Sequence, residues 1–396
     1  MIVRRFLEWV QTAQASGRAE AASALAHAVL YGDLEPAAFD EALAALTILL
    51  DDPAPVVRRA LAEAFASAND APAHIVVALT HDQADVAAVV LARSPVLRDA
   101  DLIDAVAIGE QAQHMAVACR AELSAGVCGA LAEIAGPTAL VTLLRNRSAS
   151  IPEFAFRRMI ERHGADAELR ETILARGDLP PGVRHMLVVA VSQALSVFVQ
   201  DRAWMRPERG QRMVTEAREA AAVTIADGAE HALVRHLCET NQLTAGLLLR
   251  ALLSGRASLL EAAMAELSGQ PVRRVAAILA DRRGAGFAAL YRKAGLPDGL
   301  FQAFNAALSA WREIGAQEYD ADRPAILSRR IVERTLTAID DGAHSDGRLF
   351  ALLRRYEAEA AREGARAFVA ELIQEPFDEL EAEIQRLVEE QAALAA

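Results

Sequence analysis

The chain has 396 residues, enough for two or three ordinary domains or for one extended array of repeats that needs no single central core. Apolar residues make up 53% of it but aromatic residues only 5%, so a core must be built from Ala, Leu and Val in thin layers, which favours helices stacked on helices. The formal net charge of −13 argues against a general affinity for polyanions such as DNA or an acidic membrane surface.

The charge is distributed unevenly along the chain. Residues 1–150 carry 10 basic and 18 acidic side chains, residues 201–300 carry 14 and 11, and residues 351–396 carry 5 and 11. A mildly basic middle therefore lies between two acidic ends, and it leaves room for a local anion-binding surface.

Cysteine content and hydropathy indicate the compartment. Cys119, Cys128 and Cys238 are too few and too scattered for a disulfide framework, which favours a reducing compartment. Residues 1–10 contain Glu8 within their apolar run, and we interpret them as an amphipathic helix rather than a signal peptide. No segment reaches the roughly 18 uncharged apolar residues of a membrane span. We therefore expect a cytoplasmic protein with no membrane association.

Helical periodicity begins near the N-terminus. Apolar residues at helical spacing predict a pair of helices over residues 2–14 and 17–31, and a third helix from Pro36 to about Leu50. No stretch alternates between apolar and polar residues as a half-buried strand does. The sequence therefore predicts an all-α protein.

The next helix carries the motif D-x-x-P-x-V-R, formed by Asp52, Pro55, Val57 and Arg58. We expect Asp52 to cap this helix by accepting a backbone N–H, and a proline in the first turn is well tolerated. The apolar residues that follow recur at i, i+3, i+4, i+7 and i+8, on one stripe that must be buried. They are Val57, Ala60, Leu61, Ala64 and Phe65.

The motif returns along the chain at a regular interval. A second clean copy begins at Asp178, 126 residues after Asp52, which corresponds to four periods of about 31 residues. Two helices per period are typical of a helical solenoid, in which each pair buries its apolar stripe against its neighbours. Partial copies in the same register are Asp82 with Val86, Val90 and Leu91; Gln111 with Met115 and Cys119; and Ile151 with Ala155 and Met159.

The pattern weakens beyond Val199. A polar stretch from Asp201 to Gly210 contains Pro207 and is followed by further helical segments. These are predicted over residues 211–226, 229–240, 242–253, 257–267, 272–279, 284–294, 297–313, 325–339, 347–373 and 376–393. We expect three regions: a repeat array over residues 1–200, irregular helical repeats over 201–315, and a C-terminal helical segment over 316–396.

These residues resemble a known family. The D-x-x-P-x-V-R helices are similar to the second helices of HEAT-like repeats, in which Asp and Arg of successive units often form a polar ladder. The run Leu49–Ala105, with Val57-Arg58, Asp82 and Leu91-Ala92-Arg93-Ser94-Pro95-Val96-Leu97, resembles a bacterial HEAT-like repeat family known as a domain of unknown function. The likeness covers about the first 200 residues well and the remainder loosely. It implies an α-solenoid of HEAT-like antiparallel helix pairs with additional C-terminal helices, and no catalytic residues.

Signatures of catalysis and of metal sites are not found in the sequence. It contains no Walker loop, no H-E-x-x-H, no paired C-x-x-C and no G-x-S-x-G. His231 and His236 point about 140° apart on one predicted helix, so they do not share an ion. The segment Asp340–Gly347 lacks the spacing of a calcium loop. We predict no catalytic residue, no cofactor and no metal.

The candidate binding segment is rich in arginine and contains one tryptophan. Such a composition suits phosphate or an acidic helix. Nearby carboxylates at Asp201, Glu208, Glu216 and Glu219 nearly cancel the charge, so an internally paired, solvated segment is the competing interpretation. The predicted partner-binding residues are Arg202, Trp204, Arg206, Arg209 and Arg212.

Two functions are compatible with this architecture. The first is a non-enzymatic scaffold or regulatory adaptor that binds a protein partner, an acidic one if the arginine-rich segment takes part. The alternative is a DNA-binding or DNA glycosylase-type HEAT-like protein, but the acidic repeat region makes nucleic acid an unexpected partner. The sequence does not specify the oligomeric state.

Overall fold

The computed structural model describes residues 9–370, except for 11, 203, 316–323, 341–346 and 348. All regular structure in these residues is helical, and they contain no strand. The all-α prediction is confirmed. The predicted helix at 376–393, most of the helix at 2–14 and most of the calcium-like segment lie outside the described residues.

The chain forms two compact units, Met1–Ala194 and Leu195–Ala396. The division falls six residues before the expected boundary at 200. Each unit has its own hydrophobic core.

The first unit consists of helices of about two to five turns joined by short loops. They are α1 (Ala15–Tyr31), α2 (Pro36–Ile48), α3 (Pro55–Phe65), α4 (Ala73–Thr80), α5 (Ala84–Arg93), α6 (Asp99–Ile108), α7 (Gln111–Ala118), α8 (Ala125–Ile134), α9 (Pro137–Arg145), α10 (Glu153–His163) and α11 (Ala167–Leu174). The longer α12 (Pro181–Asp201) contains the division between the units.

Local sequence explains where several of these helices begin. Pro36, Pro55 and Pro137 occupy the first turns of α2, α3 and α9, where no amide hydrogen is needed. Ser124 and Asp166 precede α8 and α11, and their side chains accept the backbone N–H groups three residues later. The helix starts are therefore set by proline and capping residues.

Helices in the first unit pack mainly against the second helix after them. One series of contacts joins α1, α3, α5, α7, α9 and α11, and another joins α6, α8 and α10. One continuous core runs through them from Ala19 to Leu187. This neighbour relation is the one that stacked helix pairs require, because each pair covers the apolar stripe of the next.

The first motif helix, α3, buries the predicted stripe. Val57, Leu61 and Phe65 are fully buried. The role expected for Asp52 is wrong: Ala54 is the residue that precedes the helix, with no side-chain cap. Asp52 instead accepts a hydrogen bond from the Ala54 backbone N–H at 2.9 Å and receives a two-pronged ion pair from Arg18 at 2.7 and 2.8 Å.

A polar ladder follows the stacked helices. Arg18 binds Asp52, and Arg58 binds Asp82 through Nε and Nη2 at 2.6 and 2.8 Å while its Nη1 donates to the Asp52 carbonyl. The Asp52 and Arg58 side chains of one motif therefore form ion pairs with different helices: Asp52 with Arg18 of α1, and Arg58 with Asp82 before α5. Arg18 reaches the aspartate just before α3, and Arg58 reaches the aspartate just before α5.

Further along the unit, side chains also bind carbonyls at helix ends, and Arg176 additionally pairs with Asp178, the aspartate of the second motif copy, at 3.2 Å. Arg120 donates to the carbonyls of Leu91 and Ser94, and the Asn146 side chain donates to those of Ala118 and Arg120. Arg176 in turn donates to the Leu144 and Asn146 carbonyls. The last carbonyls of a helix lack partners within it, so each repeat satisfies the one before.

Acid should weaken the first step of the ladder. The hydrogen bond from Arg18 holds the pKa of Asp52 below its usual value, against the opposing effect of burial. A lowered folded-state pKa contributes stability above the unfolded pKa of about 3.9, and this contribution is lost as the pH falls through the lower folded value. We expect Asp52→Asn to destabilise the protein most above about pH 5 and progressively less towards pH 2.

Urea unfolding of both proteins at several pH values measures this difference. Asp51→Asn is the matched control, because Asp51 is exposed and forms no ion pair among the described residues. A stability difference for Asp52→Asn that does not change with pH would contradict the role assigned to the Arg18–Asp52 pair.

The second unit begins within α12 and contains a further series of helices. They are α13 (Pro207–Ile225), α14 (Glu230–Glu239), α15 (Ala245–Leu253), α16 (Ala257–Ser268), α17 (Val272–Ala280), α18 (Phe287–Lys293), α19 (Phe301–Gly315), α20 (Pro324–Asp340) and α21 (residues 349–370). The helix positions agree with the predicted segments to within a few residues.

Helix α15 lies at the centre of the second unit. It packs against α13, α16, α19 and α20, and every residue from Leu247 to Leu253 is buried. That run includes a charged residue, Arg250, of which only 5% is exposed. A helix that is buried on all sides is normally apolar on all sides. A buried arginine in α15 therefore needs a partner for its charge.

Candidate functional site

The predicted binding residues lie where one helix ends and the next begins. Arg202 directly follows α12, Arg206 directly precedes α13, and Arg209 and Arg212 lie in the first two turns of α13. Trp204 lies between the helices and is 67% exposed. All five side chains are exposed, so each of them is accessible at the surface of the second unit.

Arg202 is held between two aromatic rings. Its guanidinium carbon lies 3.8 Å from the centre of the Phe198 ring and 5.7 Å from that of Trp204. The two rings meet edge to face at 5.7 Å. Such contacts are worth about 0.5–1 kcal/mol at exposed sites. We refer to Phe198, Arg202 and Trp204 as the aromatic–arginine cluster.

Phe198 was not among the predicted residues. It lies four positions before Arg202, and this i, i+4 spacing places two side chains on the same face of a helix. The signal was hidden because α12 continues to Asp201, whereas the sequence suggested that the regular pattern weakens at Val199. Recognising one continuous helix would have brought Phe198 into the site.

The arginines of the segment keep their charges available. Within the described residues Arg202, Arg206, Arg209 and Arg212 form no side-chain ion pair, and Arg212 donates to the backbone carbonyl of Glu208. Residues 201–213 contain these four arginines and two carboxylates. The segment therefore carries a local positive charge on a chain that is acidic as a whole.

Two of the four carboxylates expected to neutralise the segment, Glu216 and Glu219, are engaged elsewhere. Glu216 binds Arg355 of α21. Glu219 turns inward and accepts a hydrogen bond from the Thr244 hydroxyl at 2.8 Å, and burial raises its pKa. Arg218 is half-buried rather than displayed with the other arginines. Among the described residues, no ion pair joins Arg202, Arg206, Arg209 or Arg212 to a carboxylate of the same segment.

Exposed apolar side chains adjoin these charges. Leu195 and Phe198 lie three residues apart on the last turns of α12, on the same helical face, and are 58% and 45% exposed. Val197 and Met213 are exposed as well. An exposed patch that combines aromatic, aliphatic and arginine side chains has the composition of a protein interaction site.

Helix α12 also meets the length and composition of a membrane span, in contrast to the sequence expectation. Its 21 residues include an 18-residue apolar window of which 28% is buried. One such helix is weak evidence, because core helices of soluble proteins pass the same criterion. Because only 28% of this window is buried, much of the apolar surface of α12 is exposed.

Metal ligands do not converge in the part of the chain that the structure describes: no group of three or more His, Cys, Asp or Glu side chains is placed to hold an ion. On α14, His231 is exposed whereas His236 is buried, as the predicted angle between them requires.

Comparison with known protein families gives a match over the middle of the chain. The model of a family described as an uncharacterised protein conserved in bacteria (DUF2336) matches residues 86–343, which include the whole arginine-rich segment. No curated protein and no solved structure matches the chain. The match starts at residue 86 and ends at residue 343, whereas the sequence suggested a likeness that is best over the first 200 residues. Because it covers more than half of the chain, the protein belongs to this bacterial family.

Proposed function

We propose that this protein is a non-enzymatic interaction scaffold of the cytoplasm, built on HEAT-like repeats, and that its second unit binds an acidic protein segment. The binding surface consists of the aromatic–arginine cluster together with Arg206, Arg209 and Arg212. The observation that carries the proposal is that four exposed arginines flank an exposed tryptophan along the chain, without carboxylate partners of their own among the described residues.

Charge complementarity selects the partner. The chain carries a net charge of −13, so a patch with unneutralised arginines stands out against an acidic surface. Arginine binds carboxylates through two parallel hydrogen bonds, which adds direction to the attraction. We therefore expect Glu or Asp side chains of the partner to bind these guanidinium groups.

The aromatic residues provide the contact area. Trp and Arg are the residue types most enriched at interface hot spots, because each combines a large surface with a directed polar group. Phe198 and Trp204 already hold Arg202 in place, so little side-chain freedom is lost when a partner binds. An apolar residue of the partner beside its carboxylates would cover the two rings.

The packing of the first unit supports the part of the proposal that describes the protein as an array of helical repeats. Its helices contact the second helix along the chain, and Arg18–Asp52 and Arg58–Asp82 join successive repeats. Stacked repeats supply extended surfaces for proteins.

Replacing Arg206, Arg209 and Arg212 with alanine should weaken partner binding without unfolding the protein. Exposed ion pairs contribute about 0.5–1 kcal/mol each, so the loss in affinity is on the order of 10- to 100-fold. The measurement is quantitative co-purification from the native cells, followed by titration of the recovered partner at low and moderate salt. Circular dichroism should show unchanged helicity and melting.

The matched control replaces Arg273, Arg274 and Arg282, three exposed arginines of the same unit outside the segment. This variant has the same net charge and should bind normally. Equal losses in both variants would contradict a specific surface. Salt-sensitive binding to a random DNA duplex, or to anionic vesicles, that depends on the segment would replace the proposal with a nucleic-acid or membrane function.

A further inference from the structure

Arg250 is buried in the central helix of the second unit and is only partly satisfied. Its Nη1 donates to both carboxylate oxygens of Glu359 on α21, at 2.6 Å each. Its Nε and Nη2 have no hydrogen-bond partner among the described residues. The nearest recorded carboxylate oxygen, Oε2 of Glu219, is 3.9 Å from Nε, too far for a hydrogen bond.

These two free donors form one edge of the guanidinium group. The same edge, Nε with Nη2, binds a carboxylate in Arg18 and in Arg58. The Nε and Nη2 atoms of Arg250 are therefore the pair of donors that binds a carboxylate in the other two arginines. Leaving such donors buried without an acceptor is unfavourable, so the position indicates a bound group that provides two acceptor atoms.

Tyr356 supplies a further donor beside it. The Arg250 guanidinium carbon lies 4.6 Å from the centre of the Tyr356 ring, and the Tyr356 hydroxyl is buried without a hydrogen-bond partner among the described residues. Burial raises the pKa of Tyr356 to about 12. The hydroxyl therefore stays protonated at neutral pH and can donate to an acceptor.

Both residues line a cavity of about 220 Å³. One part of its wall is aliphatic, formed by Val223, Leu253 and Val332. The charged part contains two arginines and two glutamates, Arg250, Arg256, Glu359 and Glu363. Glu363 forms no ion pair among the described residues and is exposed, whereas Arg250 and Tyr356 are buried.

Size and charge restrict what can occupy the cavity. Pockets for drug-sized ligands measure about 300–1,000 Å³, so only a smaller molecule fits. A dianionic phosphate would face the carboxylates of Glu359 and Glu363, which disfavours it. Arg256 is already paired with Asp227 at 2.6 Å, so the open groups are the free edge of Arg250 and the carboxylate of Glu363. A neutral molecule that carries one carboxylate and one ammonium group matches these two groups.

We propose that this cavity binds a small zwitterionic carboxylic acid, an α-amino acid with an aliphatic side chain. The ligand carboxylate binds Nε and Nη2 of Arg250 and the Tyr356 hydroxyl. Its ammonium group lies towards Glu363, and its side chain packs against the aliphatic wall. Because the cavity is lined by α13, α15, α20 and α21, the ligand stabilises the docking of α21. The proposal does not depend on the partner surface described above.

Thermal shift and isothermal titration calorimetry of the full chain with L-valine and L-leucine test this proposal directly. We expect at least one of them to raise the melting temperature in a saturable way below about 10 mM. Isobutylamine and 3-methylbutanoate, which each lack one charged group, should bind at least 10-fold more weakly. No shift with either amino acid, or equal binding of the singly charged analogues, would overturn the proposal.

Two mild variants locate the site. Tyr356→Phe removes only a hydroxyl, and Glu363→Gln removes an exposed charge, so the fold is retained in both. Each should weaken amino-acid binding on the order of 10-fold. Tyr31→Phe, at an exposed tyrosine of the first unit, is the control and should bind as the unaltered protein does. Unchanged affinity in both site variants would exclude this cavity.

Discussion

Leu61→Asp is expected to destabilise the first unit by at least about 4 kcal/mol. Leu61 is fully buried in α3, which packs against both α1 and α5. The substitution removes an aliphatic side chain and forces a carboxylate between packed helices. Since whole domains are stable by only about 5–15 kcal/mol, this change removes a large part of the stability of the unit. Thermal and urea unfolding followed by circular dichroism measure it.

Arg59→Ala is the control on the same helix. Arg59 is exposed, and its ion pair with Glu63 lies at the surface, with both side chains about half exposed. Exposed pairs of this kind contribute about 0.3–0.5 kcal/mol, so the variant should melt close to the unaltered protein. If the two variants unfolded at the same temperature, the buried stripe of α3 would be wrongly assigned.

Arg250→Met is expected to destabilise the second unit by about 3 kcal/mol. Breaking a buried ion pair by removing one partner costs about 3–5 kcal/mol, and the lower end applies because the Glu359 side chain remains 39% exposed. The loss arises chiefly from carboxylates left without a counter-charge, at Glu359 and at the more buried Glu219. Denaturant unfolding of the full chain measures the effect.

Two further variants separate charge from packing. Arg256→Ala breaks the exposed pair with Asp227 and should change stability by less than about 1 kcal/mol. Adding Glu359→Gln to Arg250→Met removes one unpaired carboxylate and should recover part of the loss. Equal destabilisation by Arg250→Met and Arg256→Ala would show that the buried pair makes no special contribution.

The helices could be predicted because their determinants are local. The stripe of Val57, Leu61 and Phe65 and the prolines at helix starts are visible in the sequence, and the structure places them accordingly. The function of Asp52 could not be predicted from the same local pattern. The Asp52 carboxylate can either cap the helix or form an ion pair. Which of the two it does depends on Arg18, 34 residues earlier in the chain.

The candidate sites depend on longer-range contacts. The arginines near Trp204 were found from composition, but their availability depends on Arg355, which binds Glu216 from 139 residues away. The Arg250 cluster has no sequence signal, because Glu359 is 109 residues distant. A single arginine within an apolar helix indicates that a partner is needed, but it does not identify one.

Site-specific photo-crosslinking in the native cells tests the proposed function most directly. Trp204 is replaced by a benzophenone amino acid, and crosslinked peptides are identified by mass spectrometry, with and without alanine at Arg206, Arg209 and Arg212. We predict a recurrent crosslink to a protein segment rich in Asp and Glu, lost in the triple variant and retained when Arg273, Arg274 and Arg282 are replaced instead. Crosslinks to segments without an acidic character, or an unchanged crosslink in the triple variant, would contradict the proposal.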